Sequence, residues 1–390
     1  MRSAVEIVGA NAERARGHNR QVVLERIRKA GGIGRAEIAR ISGLSTQAVS
    51  NIIADLLEDG LIEERGRRAG VRGLPAVQYG VNACGGYALG VEIRPDAVFA
   101  GVLDLSGARI AAIRRPLATR DLACVTQTVQ EISSKVIGEA HVPRARLLGA
   151  GIVMPGPFGT TGLSGSASEL AIWDSVDPAA WFADALGMPV EVENDANAAA
   201  VAERVSGVAK GLESYAFLYF GSGLGLGMVQ TGRLIVGAFG NAGEIGHVPV
   251  IAEGEAVPLE AVVSRLSLQR ALAAEGVEVT SGEDIAAAYS DRVPALMDWL
   301  DRAAEPLAAA VMMVENLLDP EAVILGGAMP DTVIDHLIRT VPLGGRSVSH
   351  RPARAVPRLL AGASGRLTAT LGGAALVINR AFTPQIAAIG

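Results

Sequence analysis

The sequence of 390 residues has little cysteine, few aromatic side chains and no long apolar runs. Its two cysteines, Cys84 and Cys124, cannot build a disulfide framework, and they are too few for a zinc site made of cysteines alone. No segment approaches the roughly 20 consecutive apolar residues of a membrane-spanning helix, and no apolar stretch follows a basic start as in a signal peptide. We therefore expect a reduced, cytoplasmic protein without a membrane anchor. At about 150 residues per domain, the length predicts two or three domains.

Acidic residues outnumber basic ones in the whole chain, but not near its beginning. Residues 1–82 carry 13 lysines and arginines against 9 acidic residues, whereas residues 83–390 carry 22 against 32. A basic segment attached to an acidic body is typical of a nucleic-acid-binding module fused to a second unit. A solvated basic helix would give the same count, so the charge alone leaves both interpretations open.

Three helices are predicted in the first 60 residues. Apolar spacing indicates helices from His18 to a stop at Gly31, from Arg35 to Ile41, and from an N-cap at Ser45 to about Asp59. Gly43 allows the tight turn between the second and third helices that a helix-turn-helix requires. The exposed face of the third helix would carry polar side chains that can reach base edges in a major groove. The candidate DNA-binding residues in this part are Arg35, Ser45, Thr46, Gln47, Ser50 and Asn51.

Two short strands with a basic loop between them follow the third helix. Residues 61–64 and 77–79 are predicted as strands, and residues 65–73 as a flexible wing that contacts phosphates or a minor groove. The wing adds four candidate DNA-binding residues, Arg65, Arg67, Arg68 and Arg72. The sequence therefore predicts a winged helix-turn-helix over residues 1–82. A helical protein-interaction module with solvated arginines is the alternative.

The remaining residues, 83–390, alternate strand hairpins with helices in two successive groups. Strands are predicted at 87–91, 98–103, 109–113, 148–154, 190–193 and 217–220, and helices at 122–139, 178–186 and 371–381. This alternation predicts a two-lobed α/β body with a cleft. The glycine-rich segment 221–227 would bring backbone N–H groups close to a phosphate, although tight hairpins need glycine as well. Glu244 and His247 are spaced so that both could point into one pocket, and Asn194 and Asp195 add polar groups to it.

Several of these segments together resemble the ROK family, in which a winged helix-turn-helix can precede a sugar-kinase-like body of the actin/hexokinase fold. The matching segments are 151–157, 192–199, 221–225, 242–247 and 325–327. The resemblance implies one lobe of residues 83–192 plus 373–390 and a second lobe of residues 193–372. It also implies a sugar-binding site, in which Asp195 matches the general base of the sugar-phosphorylating members. The matching sugar-binding residues are Gly156, Glu169, Asn194, Asp195, Glu244, His247 and Glu260.

Three departures from the family pattern favour a regulator over a kinase. Where the kinases have an Asp-x-Gly-Gly-Thr turn for ATP phosphates, residues 91–96 read Val-Glu-Ile-Arg-Pro-Asp, so Arg94 could fill the phosphate site and Pro95 lacks an amide donor. The segment between His247 and Glu260 has none of the family's zinc-binding cysteines. Glu169 stands where the family has a sugar-binding asparagine, which leaves the identity of the sugar open. We therefore expect no ATP, no zinc and no other cofactor.

The sequence thus predicts a non-enzymatic transcriptional regulator, and we expect a repressor that a sugar in the cleft releases from its operator. The expected partners are double-stranded operator DNA, a sugar or sugar derivative, and further copies of the chain in a dimer or tetramer. A helix at 371–381 would return to the first lobe near the DNA-binding domain and relay closure of the cleft. Two alternatives stay open: an ATP-dependent sugar kinase with an accessory DNA-binding domain, favoured by Asp195, and a body that responds to a protein partner.

Overall fold

The structure is a computed structural model that describes residues 12–68, 75–157 and 176–382, apart from residues 253, 346, 352 and 364. Within these ranges the chain forms a small head followed by a body of two lobes. Arg72 and Glu169, two of the predicted site residues, lie outside the described residues.

The helices of the head pack on a small antiparallel sheet. Its elements are α1 (Ala12–Ala30), β1 (Ile33–Gly34), α2 (Arg35–Ser42), α3 (Thr46–Glu58), β2 (Ile62–Arg68) and β3 (Ala76–Val81), with the strands in the order β1-β3-β2. Val49, Ile53 and Leu56 recur at helical spacing along α3, and all three are fully buried in the core of the head. As predicted, α2 ends at Gly43, which adopts a φ of 71° and donates its N–H to the carbonyl oxygen of Ala39.

Strand β2 is longer than the sequence indicates. It runs to Arg68 and pairs with β3 as far as Ala76, with a bulge between Glu64 and Arg67. Arg65, Arg67 and Arg68 therefore lie in a strand, and the prediction of a flexible loop was wrong for these three arginines. The physical reason is that β2 is an edge strand of a small sheet, where charged side chains can remain in solvent without disturbing the backbone ladder.

The first lobe is built on a five-stranded sheet. Its elements are β4 (Tyr87–Ile93), β5 (Ala97–Asp104), β6 (Arg109–Pro116), α4 (Leu122–Glu139), β7 (Leu147–Met154), α5 (Pro178–Leu186) and β8 (Val190–Asn194). In the order β6-β5-β4-β7-β8, the first three strands are antiparallel to their neighbours, and β7 and β8 are parallel to β4. Val125 and Val129 of α4 share one apolar core with Val91 and Val102 of the sheet, which explains why α4 covers this face.

The second lobe repeats this arrangement of strands. Its elements are α6 (Asp195–Val205), β9 (Tyr215–Phe220), β10 (Leu224–Gln230), β11 (Arg233–Leu234), β12 (Pro249–Ala252), β13 (Glu255–Pro258), α7 (Leu259–Val262), α8 (Arg265–Ala274), α9 (Gly282–Ser290), α10 (Pro294–Leu318), β14 (Ala322–Gly327), α11 (Asp331–Thr340) and β15 (Leu359–Ala361). In the order β11-β10-β9-β14-β15, the first three strands are again antiparallel, and β14 and β15 are parallel to β9. Two lobes of the same topology confirm the predicted two-lobed α/β body.

The two lobes meet along α6 and a last helix, α12 (Thr368–Phe382). A Cβ on Gly151 of β7 would overlap the carbonyl oxygen of Gly373, and a Cβ on Gly372 would overlap that of Ala198 in α6. Only glycine permits such a close approach of two backbones. The centre of the molecule is therefore packed backbone against backbone, with α12 against the first lobe's sheet and α6 against α12.

The longest helix, α10, has 25 residues and carries charged side chains along its exposed face, among them Asp301 and Arg302. Among the described residues, no helix combines the length and the apolar composition that crossing a bilayer requires.

Candidate functional site

The amino end of α6 lies at the carboxyl end of strand β8. Asn194 ends β8, and its Oδ1 accepts the backbone N–H of Asn197 at 2.7 Å, which caps α6. Glu193 supports this cap, because its Oε1 accepts the N–H of Asn194 at 2.8 Å and the side-chain amide of Asn197 at 2.9 Å. Asp195 is the first residue of α6. The strand and the helix together therefore fix both candidate side chains, Asn194 and Asp195, at the cleft.

Glu244, His247 and Glu260 come together in the second lobe. A single turn of 3-10 helix (Ile245–His247) follows Glu244, and Glu260 lies in α7. Glu244 Oε2 is 3.8 Å from His247 Nε2, and Glu260 Oε1 is 3.9 Å from His247 Nδ1. An imidazole between two carboxylates offers several acceptors and a donor to a ligand rich in hydroxyl groups.

One cavity of about 320 Å³ is lined by all the predicted effector-binding residues that the structure describes. These residues are Gly156, Asn194, Asp195, Glu244, His247 and Glu260. Tyr219, Ser264 and Arg270 contribute to the rest of the lining. A Cβ on Gly156 would lie 3.2 Å from Glu244 Oε1, so the segment that follows β7 closely approaches the second lobe at this point.

The carboxyl group of Asp195 is strongly perturbed. Burial raises its pKa to about 7, and the negative charge of the buried Glu92 acts in the same direction. The N–H of Ala196, which donates to Asp195 Oδ1 at 2.8 Å, and the nearby Arg94 oppose this rise without cancelling it. Burial likewise raises the pKa of Glu244, although His247 opposes that shift. Near neutral pH, Asp195 can therefore exist in both protonation states.

A buried ion pair between Glu92 and Arg94 lies close to Asp195 and connects several elements. Arg94 Nε donates to Glu92 Oε1 at 2.6 Å, and the hydroxyl of Thr370 in α12 donates to Glu92 Oε2 at 2.6 Å. Arg94 Nη2 donates to the carbonyl oxygen of Arg366 at 3.0 Å, and its guanidinium lies 4.4 Å from the centre of the Phe99 ring. Burial alone would lower the pKa of Arg94, but the charge and hydrogen bond of Glu92, together with the nearby Tyr219 and Asp195, more than offset burial, so the guanidinium stays protonated.

Sequence reasoning singled out Arg94 but missed the distant partners of the ion pair. Arg366, which accepts from Arg94, and Thr370, which donates to Glu92, lie more than 270 residues further along the chain, in no motif. The signal available in the sequence was Glu92, because a buried arginine next to a buried strand needs an acid close by.

The glycine-rich segment 221–227 is only partly the loop that the sequence predicts. Residues 221–223 form a turn, but residues 224–227 belong to strand β10. A Cβ on Gly227 would overlap the carbonyl oxygen of Ala196, and one on Gly225 would lie 2.8 Å from the Ala196 side chain. These two glycines let α6 pack directly on β10. A packing role therefore replaces the expected phosphate-binding role at Gly225 and Gly227.

In the head, α3 presents the predicted polar side chains. Thr46, Gln47 and Asn51 are exposed, and Ser50 is half-buried. Gln47 Nε2 donates to Asn51 Oδ1 at 3.0 Å, so these two amides lie side by side on one face of the helix. Ser45 is the N-cap, because its side chain accepts a backbone N–H of the first turn. Its hydroxyl oxygen is thus engaged in starting the helix.

The predicted phosphate-binding arginines differ in their surroundings. Arg35 is exposed at the start of α2, with its guanidinium 5.4 Å from the centre of the Tyr79 ring. Arg67 is exposed on β2, and Arg68 ends that strand. Of these, Arg35 and Arg67 have side chains that a DNA backbone could reach without rearrangement of the head.

Arg65, in contrast, is committed to contacts within the head. Its Nη1 donates to the carbonyl oxygen of Gly31 at 3.1 Å and its Nη2 to that of Val81 at 3.0 Å. Its Nε donates to Glu63 Oε1 at 3.3 Å. Because all three guanidinium nitrogens are engaged, the expected phosphate contact is corrected to a structural role that joins the end of α1 to β3.

Two family models match the chain and together cover most of it. One described as the ROK family matches residues 88–380, and one described as winged helix-turn-helix DNA-binding matches residues 18–63. The chain belongs to the ROK family. This ROK protein therefore carries both predicted parts, a winged helix-turn-helix and a ROK body.

Similar proteins include a repressor and a kinase. A xylose repressor of Bacillus spizizenii is 24% identical over 318 residues, which cover 79% of this ROK protein and 81% of that repressor. A glucokinase of Halalkalibacterium halodurans is 30% identical over 280 residues, which cover 66% of this chain and 82% of that enzyme. A crystal structure of a ROK family transcriptional regulator, a homolog of the E. coli MLC protein, matches with a TM-score of 0.75 at 24% identity and covers 95% of this chain and 97% of that one. Because this match includes the head, it supports the fold of the whole chain.

Proposed function

We propose that this ROK protein is a transcriptional repressor, which binds operator DNA through its head and is released by a sugar bound in the cavity. The observation that carries the proposal is that the head and the body share one apolar core. The apolar core of the head includes residues of α12 and of α6, and α6 begins in the cavity with Asp195. The similarity to a xylose repressor over 79% of the chain supports the same assignment.

The cavity suits a neutral sugar. Asp195, Glu244 and Glu260 supply hydrogen-bond acceptors for hydroxyl groups, and His247 and Asn194 supply donors. The carboxyl groups of Asp195, Glu244 and Glu260 would repel a negatively charged ligand wherever they are ionised. We therefore propose an uncharged monosaccharide or a close derivative as the effector.

The proposed function includes no phosphoryl transfer. A turn that binds ATP phosphates needs small residues and free backbone N–H groups, whereas this chain has Arg94 followed by Pro95. Arg94 is fixed by hydrogen bonds to Glu92 and to the carbonyl oxygen of Arg366. The residues present at this turn do not fit ATP and magnesium, which supports a body that binds sugar without turning it over.

We also propose that the chain holds no structural zinc. The segment after His247 forms the hairpin β12–β13, whose ladder pairs Pro249 with Pro258 and Ala252 with Glu255. It offers no thiolate, so the donor set of the family's zinc site does not fit here. Among the residues that the structure describes, no three histidine, cysteine or acidic side chains are grouped so that they could hold an ion.

We expect the repressor to act in the cytoplasm as a homodimer or tetramer. A winged helix reads a short half-site, and two heads related by symmetry read a palindromic operator whose half-sites lie one helical turn or a multiple of it apart.

A binding screen followed by a DNA-release measurement tests the proposal. The intact chain is screened by thermal shift against D-xylose, D-glucose, N-acetylmannosamine and sucrose, since a ligand at 100 times its Kd adds about 2.7 kcal/mol of stability. A binding sugar must then weaken the affinity for a duplex that the chain has selected from a random pool. Glu244→Gln and His247→Ala must lose both effects, whereas Asp301→Asn on the exposed face of α10 must keep them. A sugar that binds without changing the DNA affinity contradicts the proposal, and operator release in cells that survives Glu244→Gln indicates a protein effector instead.

A sugar kinase with an accessory DNA-binding domain is the second candidate. The observation in its favour is Asp195, because a pKa of about 7 suits a general base near neutral pH. Incubation with ATP, magnesium and the same sugars tests this candidate. Formation of a sugar phosphate by the wild-type chain but not by Asp195→Asn would overturn the non-enzymatic assignment.

A further inference from the structure

The head is bonded to the first lobe at the end of α3. Arg146 Nη1 donates to the carbonyl oxygens of Asp59 and Gly85, at 3.1 and 3.2 Å. The side-chain amide of Asn82 donates to the carbonyl oxygen of Gly60 at 2.8 Å. These bonds hold the residues that follow α3 against the segment that enters β4. Because Asn82 and Gly85 belong to the segment that leads directly into β4, this contact should move with the first lobe.

The same head is bonded to the second lobe through α1. Lys29 Nζ lies 2.7 Å from Glu213 Oε1, just before β9, and this hydrogen bond holds the pKa of Glu213 below its ordinary value. Arg204 Nη2, at the end of α6, lies 3.8 Å from Glu25 Oε1. The side chains of Arg204 and Glu25 are only 10% and 12% exposed, whereas those of Lys29 and Glu213 are 39% and 54% exposed. We refer to these four residues as the α1 clamp.

Helix α6 connects the α1 clamp to the cavity. Asp195 at its first position lines the cavity, and Arg204 at its tenth position belongs to the clamp, about 14 Å away at 1.5 Å per residue. Val201 and Val205 of α6 share the apolar core of the head with α1 residues. Gly227 lets α6 pack on β10 of the second lobe, and Gly372 lets it pack on α12, so the helix has no room to bend and transmits a shift at its first turn to its last turn.

The two bonded contacts cannot both survive a change in the angle between the lobes. The head cannot follow the first lobe through Arg146 and the second lobe through Lys29 at once. The exposed pair of Lys29 and Glu213 contributes little free energy and is easily broken, whereas the contact with the first lobe uses backbone carbonyls close to the covalent connection. This pair of the α1 clamp is therefore the contact that should yield first.

We propose that the α1 clamp is the switch through which sugar occupancy controls DNA binding, with α6 as the lever between cavity and head. The inference rests on the proposed repressor function. In the sugar-free arrangement the clamp holds the head in the orientation that binds DNA. Movement of the second lobe with a bound sugar displaces α6, opens the clamp and frees the head to leave that orientation.

Glu213→Lys is the decisive variant, because the clamp predicts weaker DNA binding whereas the added positive charge alone predicts tighter DNA binding. It adds positive charge near the head, which by itself would tighten DNA binding. If the clamp sets the head's orientation, the repulsion between the introduced ammonium group and Lys29 weakens binding to the selected duplex about two- to five-fold without any sugar. Glu139→Lys on α4 is the matched control, since it makes the same charge change at another exposed ion pair, with Lys135.

Lys29→Glu and the double variant complete a double-mutant cycle between Lys29 and Glu213. Lys29→Glu should weaken DNA binding as well, and the combination of Lys29→Glu with Glu213→Lys should restore it to within about two-fold. Glu213→Gln provides a milder second variant if Glu213→Lys unfolds, and its weakening should be smaller but of the same sign. The backbone N–H of Glu213, which donates to Glu321 Oε1 at 2.7 Å, is unchanged in every variant.

The outcomes separate this inference from the proposed function. DNA binding by Glu213→Lys that equals or exceeds that of Glu139→Lys overturns the switch, and so does a double variant that recovers no affinity. A wild-type chain that selects no duplex contradicts the proposed function itself, and the switch falls with it. Suppose that D-xylose, D-glucose or N-acetylmannosamine releases the wild-type chain from its duplex. In that case, the sugar should reduce the DNA affinity of each single clamp variant by a smaller factor than it reduces that of the wild type. An equal factor also overturns the switch.

Discussion

Replacement of Asp195 by asparagine should change how the stability of the body depends on pH. Burial raises the pKa of Asp195 to about 7 in the folded chain, against an ordinary value of 3.8. At about pH 3 and below, the carboxyl is mostly protonated in both the folded and the unfolded chain, and the native state suffers little penalty. As the pH rises towards 7, the unfolded chain releases this proton while the folded chain retains it, so the wild-type protein loses stability over that window.

The size of the stability loss follows from the shift of the Asp195 pKa. About three pH units at about 1.36 kcal/mol per unit correspond to at most about 4 kcal/mol. Part of the Asp195 side chain contacts solvent, and water there screens the charge and reduces this value. Asparagine does not ionise, but its side-chain oxygen can still accept the N–H of Ala196 as Asp195 Oδ1 does at 2.8 Å. The variant should therefore keep the start of α6 and lose only the pH-dependent penalty.

Urea unfolding of both proteins at intervals between pH 5 and pH 8.5 measures the difference. We expect the free energy of unfolding of Asp195→Asn, relative to the wild type, to rise by about 1 to 2.5 kcal/mol from the lower to the upper end of this range, because part of the full effect falls below pH 5. Asp301→Asn on α10 is the control and should follow the pH profile of the wild type. A difference between Asp195→Asn and the wild type that stays flat across the range would refute the argument that Asp195 is held protonated in the cleft.

Three further predictions test packing, recognition and the buried ion pair. Gly227→Ala should destabilise the body by on the order of 3 kcal/mol in urea unfolding, because its Cβ would overlap α6, whereas Gly138→Ala at an open position of α4 should stabilise it by up to about 1 kcal/mol. Gln47→Ala should relax base preference in a random-pool selection at a cost of about 1–3 kcal/mol per site, with an unchanged salt dependence of binding. Arg94→Met should destabilise the body by about 3–5 kcal/mol, and adding Glu92→Gln should recover much of this loss. A double variant that is no more stable than Arg94→Met alone would contradict the pairing.

Helix bounds were predictable where the capping residues are local. The predicted bounds of α4 and α5 agree with the structure, because Asp121 and Asp177 cap these helices through backbone N–H groups two or three residues further on. The end of β2 was not predictable in the same way. Its arginines look like a loop in sequence, and only pairing with β3 makes them a strand.

The residues of the candidate site were predictable from sequence motifs, but the hydrogen bonds and packing that surround them were not. The pair of Glu244 and His247 follows from a spacing of three residues, and the structure brings both to one cavity with Asp195. The bonds from Thr370 and Arg366 depend on where α12 lies, and no local pattern encodes that position. The glycines of segment 221–227 could not be divided into turn and packing positions, because both roles require only that a side chain be absent.

The buried pair of Glu92 and Arg94 links the loss of the phosphate-binding turn to the chemistry of the cavity. A glycine at position 94 would reopen space at the turn, but it would leave Glu92 buried without a cation, with the hydroxyls of Thr370 and Tyr219 as its remaining partners. The charge of Glu92 already raises the pKa of Asp195, and Arg94 is the cation that limits this effect. Removal of Arg94 alone would therefore push the Asp195 pKa further upward and leave a smaller fraction of this carboxyl group ionised at neutral pH. In the proposed scheme, phosphoryl transfer would need Glu92 and Arg94 to change together. No single substitution at either position would therefore restore a phosphate-binding turn to this cavity.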